Sequence, residues 1–167
     1  MSGPQAKQRL DSPGLVWEAG ETPASAVFGD VYYSRGAGLA EKRHVFLDGN
    51  GLPEAWRGRA RFTICELGFG TGLNFLATWR LWAETRDTGA VLHYLAVEGH
   101  PLTSAELGQC LAAWPELAPE REALLRVYAA PQPGFQRLHP APGIVLTLLC
   151  GEAHAMLAAL ETPVNAW

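Results

Sequence analysis

The stretch from Phe62 to Asn74, F-T-I-C-E-L-G-F-G-T-G-L-N, constrains this chain more than any other. A short apolar run, Phe62 to Leu67, carries one acid, Glu66, near its end. Glycines follow at alternate positions, Gly68, Gly70 and Gly72. From Leu73 to about Arg86 the apolar residues return at helical spacing, with Leu73, Leu76, Trp79 and Trp82 three apart and Phe75 and Trp79 four apart. Strand, glycine loop and helix in that order form the entry to a nucleotide-type site. Glycine allows positive φ and lets a ligand lie directly on the backbone. The tryptophans read as the core face of an amphipathic helix.

A loop built for pyrophosphate would present positive potential at the following helix N-terminus. Here a carboxylate stands just before the first glycine. It repels a dianion and suits a cation. S-adenosylmethionine (SAM) carries a sulfonium and an ammonium and no phosphate, so Glu66 tilts the reading from a dinucleotide towards SAM. A dinucleotide remains an alternative, as does an ordinary turn beside a solvated acid. Val91 to Val97 predicts a second strand, ending at Glu98 and Gly99. In a doubly wound fold an acid at that place accepts hydrogen bonds from ribose hydroxyls. Its offset from Gly72 is a little longer than the norm of about 20 residues.

The remaining pattern predicts an α/β, Rossmann-like sheet with helices on both faces, preceded by a small β-rich extension. Residues 1–25 read as a loose tail with one short strand at Leu15 to Glu18. Residues 26–60 read as the β-rich extension, and 61–167 as the donor-binding core. Within the extension, Val27 to Ser34 and Arg43 to Leu47 are strand-like, separated by a break at Gly36 and Gly38. Asp48-Gly49-Asn50-Gly51 is a turn, and Leu52 to Trp56 a helical turn. Arg57, Arg59 and Arg61 form a small basic run, either a solvated linker or a phosphate contact. Thr103-Ser104-Ala105-Glu106 is a capping box opening a helix through Trp114. A second helix spans Pro119 to Tyr128. Phe135 to His139 and Ile144 to Leu149 form a hairpin. Gly151-Glu152-Ala153 leads into a helix ending near Leu160. Glu152 either faces an adenine amino group or is a plain acid at a helix N-terminus. Val164 to Trp167 opens one more strand, within which the sequence stops; this reads as a truncated chain.

The chain has 167 residues, enough for roughly one domain. With 48% hydrophobic and 18% charged residues it has a folding composition. A formal net charge of -4 argues against strong nucleic-acid binding through global charge, leaving only a local patch. Cys65, Cys110 and Cys150 are widely spaced and odd in number, which fits reduced, buried thiols in a cytoplasmic protein rather than a disulfide framework. No membrane span, signal peptide or metal-ligand spacing is present in the pattern.

Several strings together carry a resemblance. They are F-G-D-V-Y-Y-S (28–34), G-L-A-E-K-R-H-V-F-L-D-G-N (38–50), E-L-G-F-G-T-G-L-N-F (66–75), W-P-E-L-A-P (114–119), P-G-F-Q-R-L-H (133–139) and L-T-L-L-C-G-E-A (146–153). The chain resembles, from about Val27 to Trp167, the methyltransferase domain of the tRNA 5-methylaminomethyl-2-thiouridine biosynthesis bifunctional proteins. The resemblance implies a class I SAM-dependent methyltransferase that methylates the aminomethyl group of wobble uridine in tRNA. It implies that Glu66, Gly68, Gly70, Gly72 and Asn74 line the methionine end of SAM. Glu98 would hold the ribose. Gly151, Glu152 and Ala153 would lie by the adenine, with Glu152 standing where the family usually has Asp.

The family's functional aspartate follows the strand that V-N-A-W begins, which puts the catalytic group beyond Trp167. The family's usual flavin-dependent oxidoreductase domain is likewise absent from this chain. Asp30, Tyr32 and Asn50 are the weaker candidates for the substrate-facing wall, with turn formation or core packing as their alternatives. Two other functions stay open: methylation of a small molecule on the same donor site, and an inactive SAM-binding module.

Overall fold

The computed structural model describes residues 10–18, 22–33, 39–40, 43–129 and 131–167. Its centre is a sheet of four strands: β3 (Arg61–Leu67), β4 (Val91–Glu98), β5 (Gly134–Ala141) and β6 (Ile144–Cys150). Their order is β3-β4-β6-β5. β3, β4 and β6 run parallel, and β5 closes the edge antiparallel to β6. Two short strands, β1 (Leu15–Glu18) and β2 (Thr22–Ser25), pair antiparallel as a separate hairpin.

The parallel strands are apolar on both faces because both faces are covered, as parallel sheets require. On one face Phe62, Ile64, Leu92, Tyr94, Ile144 and Leu146 meet helices α1 (Leu73–Thr85), α2 (Ser104–Leu111) and α3 (Ala118–Val127) in the main core. On the other face Cys65, Leu95, Val97 and Leu149 pack against Met156 and Leu157 of α4 (Ala153–Ala158), with Leu160 and Val164 beyond it. The helical spacing of α1 turns Leu73, Phe75, Leu76, Trp79 and Trp82 inward, and all are buried. Trp82 meets Trp56 edge to face at 5.1 Å, and Phe75 lies 5.1 Å from Tyr94. Each such large side chain contributes roughly 1.5–3 kcal/mol by leaving water. α1 and α3 are also tied by Arg80, whose guanidinium donates to both oxygens of the nearly buried Glu120 at 2.7 and 2.6 Å.

The expected capping box is present. Thr103 Oγ1 accepts from the Glu106 backbone N–H, and Glu106 Oε2 accepts from the Thr103 N–H at 2.7 Å. The hairpin β5–β6 turns at Pro142 and Gly143. All three cysteines are free and buried. Burial pushes the thiol pKa up to about 11 for Cys65 and Cys150 and to about 12 for Cys110.

Residues 164–167 land on the free side of β3. Asn165 N–H donates to Thr63 O at 2.8 Å, Cys65 N–H donates to Ala166 O at 3.0 Å, and Ala166 bridges Ile64 in parallel register. The chain thus leaves β3 towards β4 on one side and returns on the other. The C-terminal end of β3 is the point where the strand order reverses, and ligands in open α/β sheets bind there.

Two expected strands differ from the structure. Of the expected strand Val27 to Ser34, the described residues 27–33 do not form one. Residues 26–28 turn, and beyond them only Val31 makes a lone bridge to Ala24. Arg43–Leu47 winds into a single π-helical turn. It buries Leu47 and sets Phe46 6.3 Å from Tyr94, so the run serves the core through one face of a turn instead of a sheet edge. The expected short strand at Leu15 to Glu18 is present as β1, and it pairs with β2 (Thr22–Ser25), which the sequence pattern did not mark. The expected break at Gly36 and Gly38, Ser34, and the first nine residues of the expected tail lie outside the described residues.

His93, on the face opposite the main core, gives the fold an acid-sensitive point. Its Nε2 sits 3.0 Å from Thr147 Oγ1. Burial first, and then the nearby Arg137, Arg61 and His139, hold its pKa below the usual 6.5. Below that pH the unfolded chain binds more protons than the folded one, so stability falls as pH falls. The melting temperature is expected to drop between about pH 7 and pH 5, and His93→Gln to flatten that drop. An unchanged pH slope in the variant would assign the sensitivity to other groups.

Candidate functional site

β3 ends in a loop whose three glycines all have left-handed backbone, with φ of 88° at Gly68, 53° at Gly70 and 72° at Gly72. Most L-residues are strained in this region, and glycine is not. Gly68 N–H donates to Val97 O at 2.8 Å, which ties the loop to the end of β4. Gly72 turns the chain into α1, and Leu76 N–H donates to its carbonyl at 3.0 Å. Aromatic side chains pack closely against this bare backbone. A Cβ at Gly70 would meet the Tyr32 ring at 3.3 Å, and one at Gly72 would meet the Phe69 ring at 2.8 Å.

The loop borders a cavity of about 460 Å³. Gly68, Phe69, Gly70, Thr71 and Asn74 line it from the loop and α1, Glu98 and His100 from the end of β4, and Phe28, Asp30, Val31 and Tyr32 from the segment after β2. A second cavity of about 260 Å³ adjoins it, lined by Gly99, Gly134, Cys150, Gly151, Glu152 and Met156. His100 belongs to both walls. Together they form an elongated trough along the C-terminal ends of β3, β4 and β6, in the size range of small-molecule sites, about 300–1,000 Å³.

Glu98 is the carboxylate at the end of β4, in the wall of the larger cavity. Its Oε2 accepts from Gly70 N–H at 2.8 Å and its Oε1 from His100 N–H at 2.8 Å. One side chain therefore sets the spacing between the glycine loop and the end of β4. Each carboxylate oxygen has room for a second donor, which suits the hydroxyls of a ligand. Tyr32, half-buried against Gly70, has its pKa pushed up to about 12 by burial first and the Glu98 charge second.

Glu66 stands behind the cavity rather than in its wall. It is 5% exposed, and its Oε2 accepts from Asn74 Nδ2 at 3.0 Å. Tyr94 is fully buried beside it, and burial first and the Glu66 charge second raise that hydroxyl well above its usual pKa. Glu66 thus fixes Asn74, a residue of the cavity lining, and sets a carboxylate one residue layer back.

At the other end, Glu152 caps α4. Its two oxygens accept from His154 N–H at 3.1 Å and Ala155 N–H at 2.9 Å, and these bonds lower its pKa. Glu152 and Gly151 line the smaller cavity, while Ala153 lies outside the lining. Asp30 and Tyr32 lie in the wall of the larger cavity, but Asn50 does not. Asn50 Nδ2 donates to Phe46 O at 2.8 Å and closes its own turn. Sequence reasoning missed Phe28, Phe69, Thr71 and His100. The signals were the aromatic opening F-G-D and the position of His100 two residues beyond the acid that ends β4.

An acidic trough with a bare, left-handed backbone loop at one end and hydroxyl-accepting oxygens midway suits a slender cationic molecule with a sugar. Among the described residues no group of His, Cys, Asp and Glu side chains forms a metal-holding cluster, and no helix is long and apolar enough to cross a membrane.

No protein-family model matches the chain. Its sequence is similar to curated proteins called tRNA 5-methylaminomethyl-2-thiouridine biosynthesis bifunctional protein MnmC. That of Aromatoleum aromaticum is 46% identical over 159 residues, covering 95% of this chain and 25% of that protein. That of Stutzerimonas stutzeri is 44% identical over 171 residues, covering 100% of this chain and 26% of that protein. That of Pseudomonas aeruginosa (strain UCBPP-PA14) is 50% identical over 157 residues, covering 92% and 24%. The chain therefore spans about a quarter of the length of these relatives. Its fold is similar to the crystal structure of MNMC2 from Aquifex aeolicus, with a TM-score of 0.58 over 89% of this chain and 45% of that one. At 19% identity this likeness concerns the fold alone.

Proposed function

We propose that this chain, which matches the tRNA 5-methylaminomethyl-2-thiouridine biosynthesis bifunctional proteins over nearly its whole length, carries the donor site of a SAM-dependent N-methyltransferase acting on the 5-aminomethyl group of wobble uridine in tRNA. The observation that carries the reading is Glu98, held between Gly70 N–H and His100 N–H at the switch point of the sheet. The donor-binding unit is residues 61–167, with residues 1–25 as a tail and 26–60 as the extension that supplies the acceptor side. The protein works in the cytoplasm, where tRNA is its substrate. A flavin-dependent oxidoreductase domain is its functional companion.

The residues fit SAM. The glycine loop lays bare backbone at Gly68 and Gly70 against the larger cavity, while Gly72 lies outside its lining. Glu66 and Glu98 supply negative potential for the cationic methionine end. Glu98 has acceptor capacity left for ribose hydroxyls, and Gly151 and Glu152 border the space left for adenine. Glu152 has both oxygens committed to the α4 backbone, so it meets adenine through a further lone pair. When bound, SAM supplies a methyl carbon on a cationic sulfur, open to displacement by an amine.

The chain's own work is placement. Holding two reactants aligned converts an encounter into a near-unimolecular step. The loop and Asn74 fix the donor end, and Phe69 and Leu73 beneath it keep water from the reacting side. Asp30, in the open wall of the same cavity, holds the acceptor amine.

The test is calorimetric titration of SAM into the protein, followed by transfer of a labelled methyl group to tRNA carrying the aminomethyl group. Donor binding and label on the tRNA are expected. Binding of NADH but not SAM would overturn the donor reading. Label on small amines but never on tRNA would overturn the acceptor reading.

A further inference from the structure

We propose that the turn after β2, residues 26–31, is the wall on which the target nucleobase rests, with Phe28 stacking on the pyrimidine ring; this rests on the tRNA reading above. Phe28 is 60% exposed. A phenylalanine left in water forgoes the free energy that its burial would give, so its placement calls for a reason.

The turn that presents it is rigidly built. Phe28 N–H donates to Ser25 Oγ at 3.2 Å, and Gly29 N–H donates to Ser25 O at 2.8 Å. Ser25 N–H donates to Asp30 O at 2.9 Å, and Ser25 Oγ–H donates to Pro13 O at 2.9 Å. Every polar atom of the buried Ser25 is thus spent on holding this turn. Tyr32 N–H, donating to Pro23 O at 2.9 Å, fixes its exit. The ring is braced as well. Phe28 meets His100 in a T-shaped contact, centroids 5.0 Å apart and planes at 72°. His100 is itself held at two points, its backbone N–H on Glu98 Oε1 and its Nδ1 donating to Asp11 O at 3.3 Å. The aromatic wall is therefore linked through His100 to the carboxylate assigned to the donor.

The position is at the reacting end of the donor and away from its adenine end. Phe28 lines the larger cavity and not the smaller one beyond His100. Val31 and Leu67, 45% and 62% exposed, border the same cavity and extend the apolar surface. Asp30 puts a carboxylate beside it. A flat ring with apolar neighbours and one acid matches an unstacked pyrimidine bearing a cationic aminomethyl arm. Single-stranded bases are commonly held on exposed aromatic side chains.

The experiment measures two affinities on the wild type, Phe28→Ala and Phe28→Trp. Fluorescence anisotropy follows a labelled anticodon stem-loop with 5-aminomethyluridine at the wobble position, in saturating S-adenosylhomocysteine. Calorimetry follows SAM alone. Phe28→Ala is expected to weaken the stem-loop by about 10- to 100-fold and leave SAM affinity within about twofold. Phe28→Trp is expected to retain stem-loop binding. Unchanged stem-loop affinity in Phe28→Ala, with the wild type binding, would overturn the proposal and leave the tRNA reading standing. An equal loss of SAM affinity would overturn it by making Phe28 a donor contact. A wild type that binds SAM but no stem-loop would bring down the tRNA reading and this proposal together.

Discussion

Glu98→Ala is expected to weaken SAM binding by about 100-fold or more, and Glu98→Gln by about tenfold. Hydrogen bonds to a charged group contribute roughly 1.5–3 kcal/mol each, and about 1.4 kcal/mol is a factor of ten in affinity. Alanine removes the acceptor proposed for the ribose and also the partner of both Gly70 N–H and His100 N–H. Glutamine keeps one acceptor oxygen and the shape but loses the charge and one of these two bonds. The ordering of the two variants is the diagnostic part. Calorimetry on both checks it, beside melting curves that separate lost affinity from lost fold. Equal affinity in wild type and both variants would remove Glu98 from the donor site.

Gly72→Ala is expected to destabilise the protein by roughly 2–4 kcal/mol and to abolish measurable donor binding. Two costs combine. The backbone there has φ 72°, where a Cβ costs about 1–2 kcal/mol. The added methyl would also stand 2.8 Å from the Phe69 ring. Phe69 has little freedom to withdraw. It is 4% exposed, stacked on Tyr128 at 6.3 Å and 14°, and within 6.3 Å of Phe75. The loop itself must therefore shift, and with it the first turn of α1. Gly89→Ala is the matching control. Gly89 has φ 80°, yet a Cβ there meets nothing within 4 Å. It should cost only the backbone share, about 1–2 kcal/mol, and leave donor binding intact. Comparable losses of stability in the two variants would show that the Phe69 contact does not matter.

Local pattern carried the core of the fold. The order of β3, loop and α1 is legible because an apolar run, alternate glycines and a 3.6-residue period are each short-range signals. The capping box at Thr103 and the hairpin turn at Gly143 are legible for the same reason. Residues 27–33 misled because aromatic and β-branched residues fit either a strand or an exposed turn beside a cavity, and composition does not separate the two. Arg43 to Leu47 misled because one buried face of a π turn and one face of a short strand need similar residues. Asn50 looked like a wall residue, yet its amide is committed to Phe46 O within its own turn.

The sequence by itself determined the kind of site: glycines at 68, 70 and 72, where glycine adopts the left-handed backbone without strain, with acids at the ends of two strands. The tertiary structure alone decided what each acid does. Glu98 reaches the loop and His100 because β3 and β4 are neighbours in parallel register, and Glu66 is recessed behind Asn74 because α1 covers its face of the sheet. Phe28 lines the cavity because the local turn at Ser25 presents it and His100, distant in sequence, braces its ring. Such placements depend on which strands are adjacent and which faces are covered, and these are properties of the packed sheet that no local run of residues encodes.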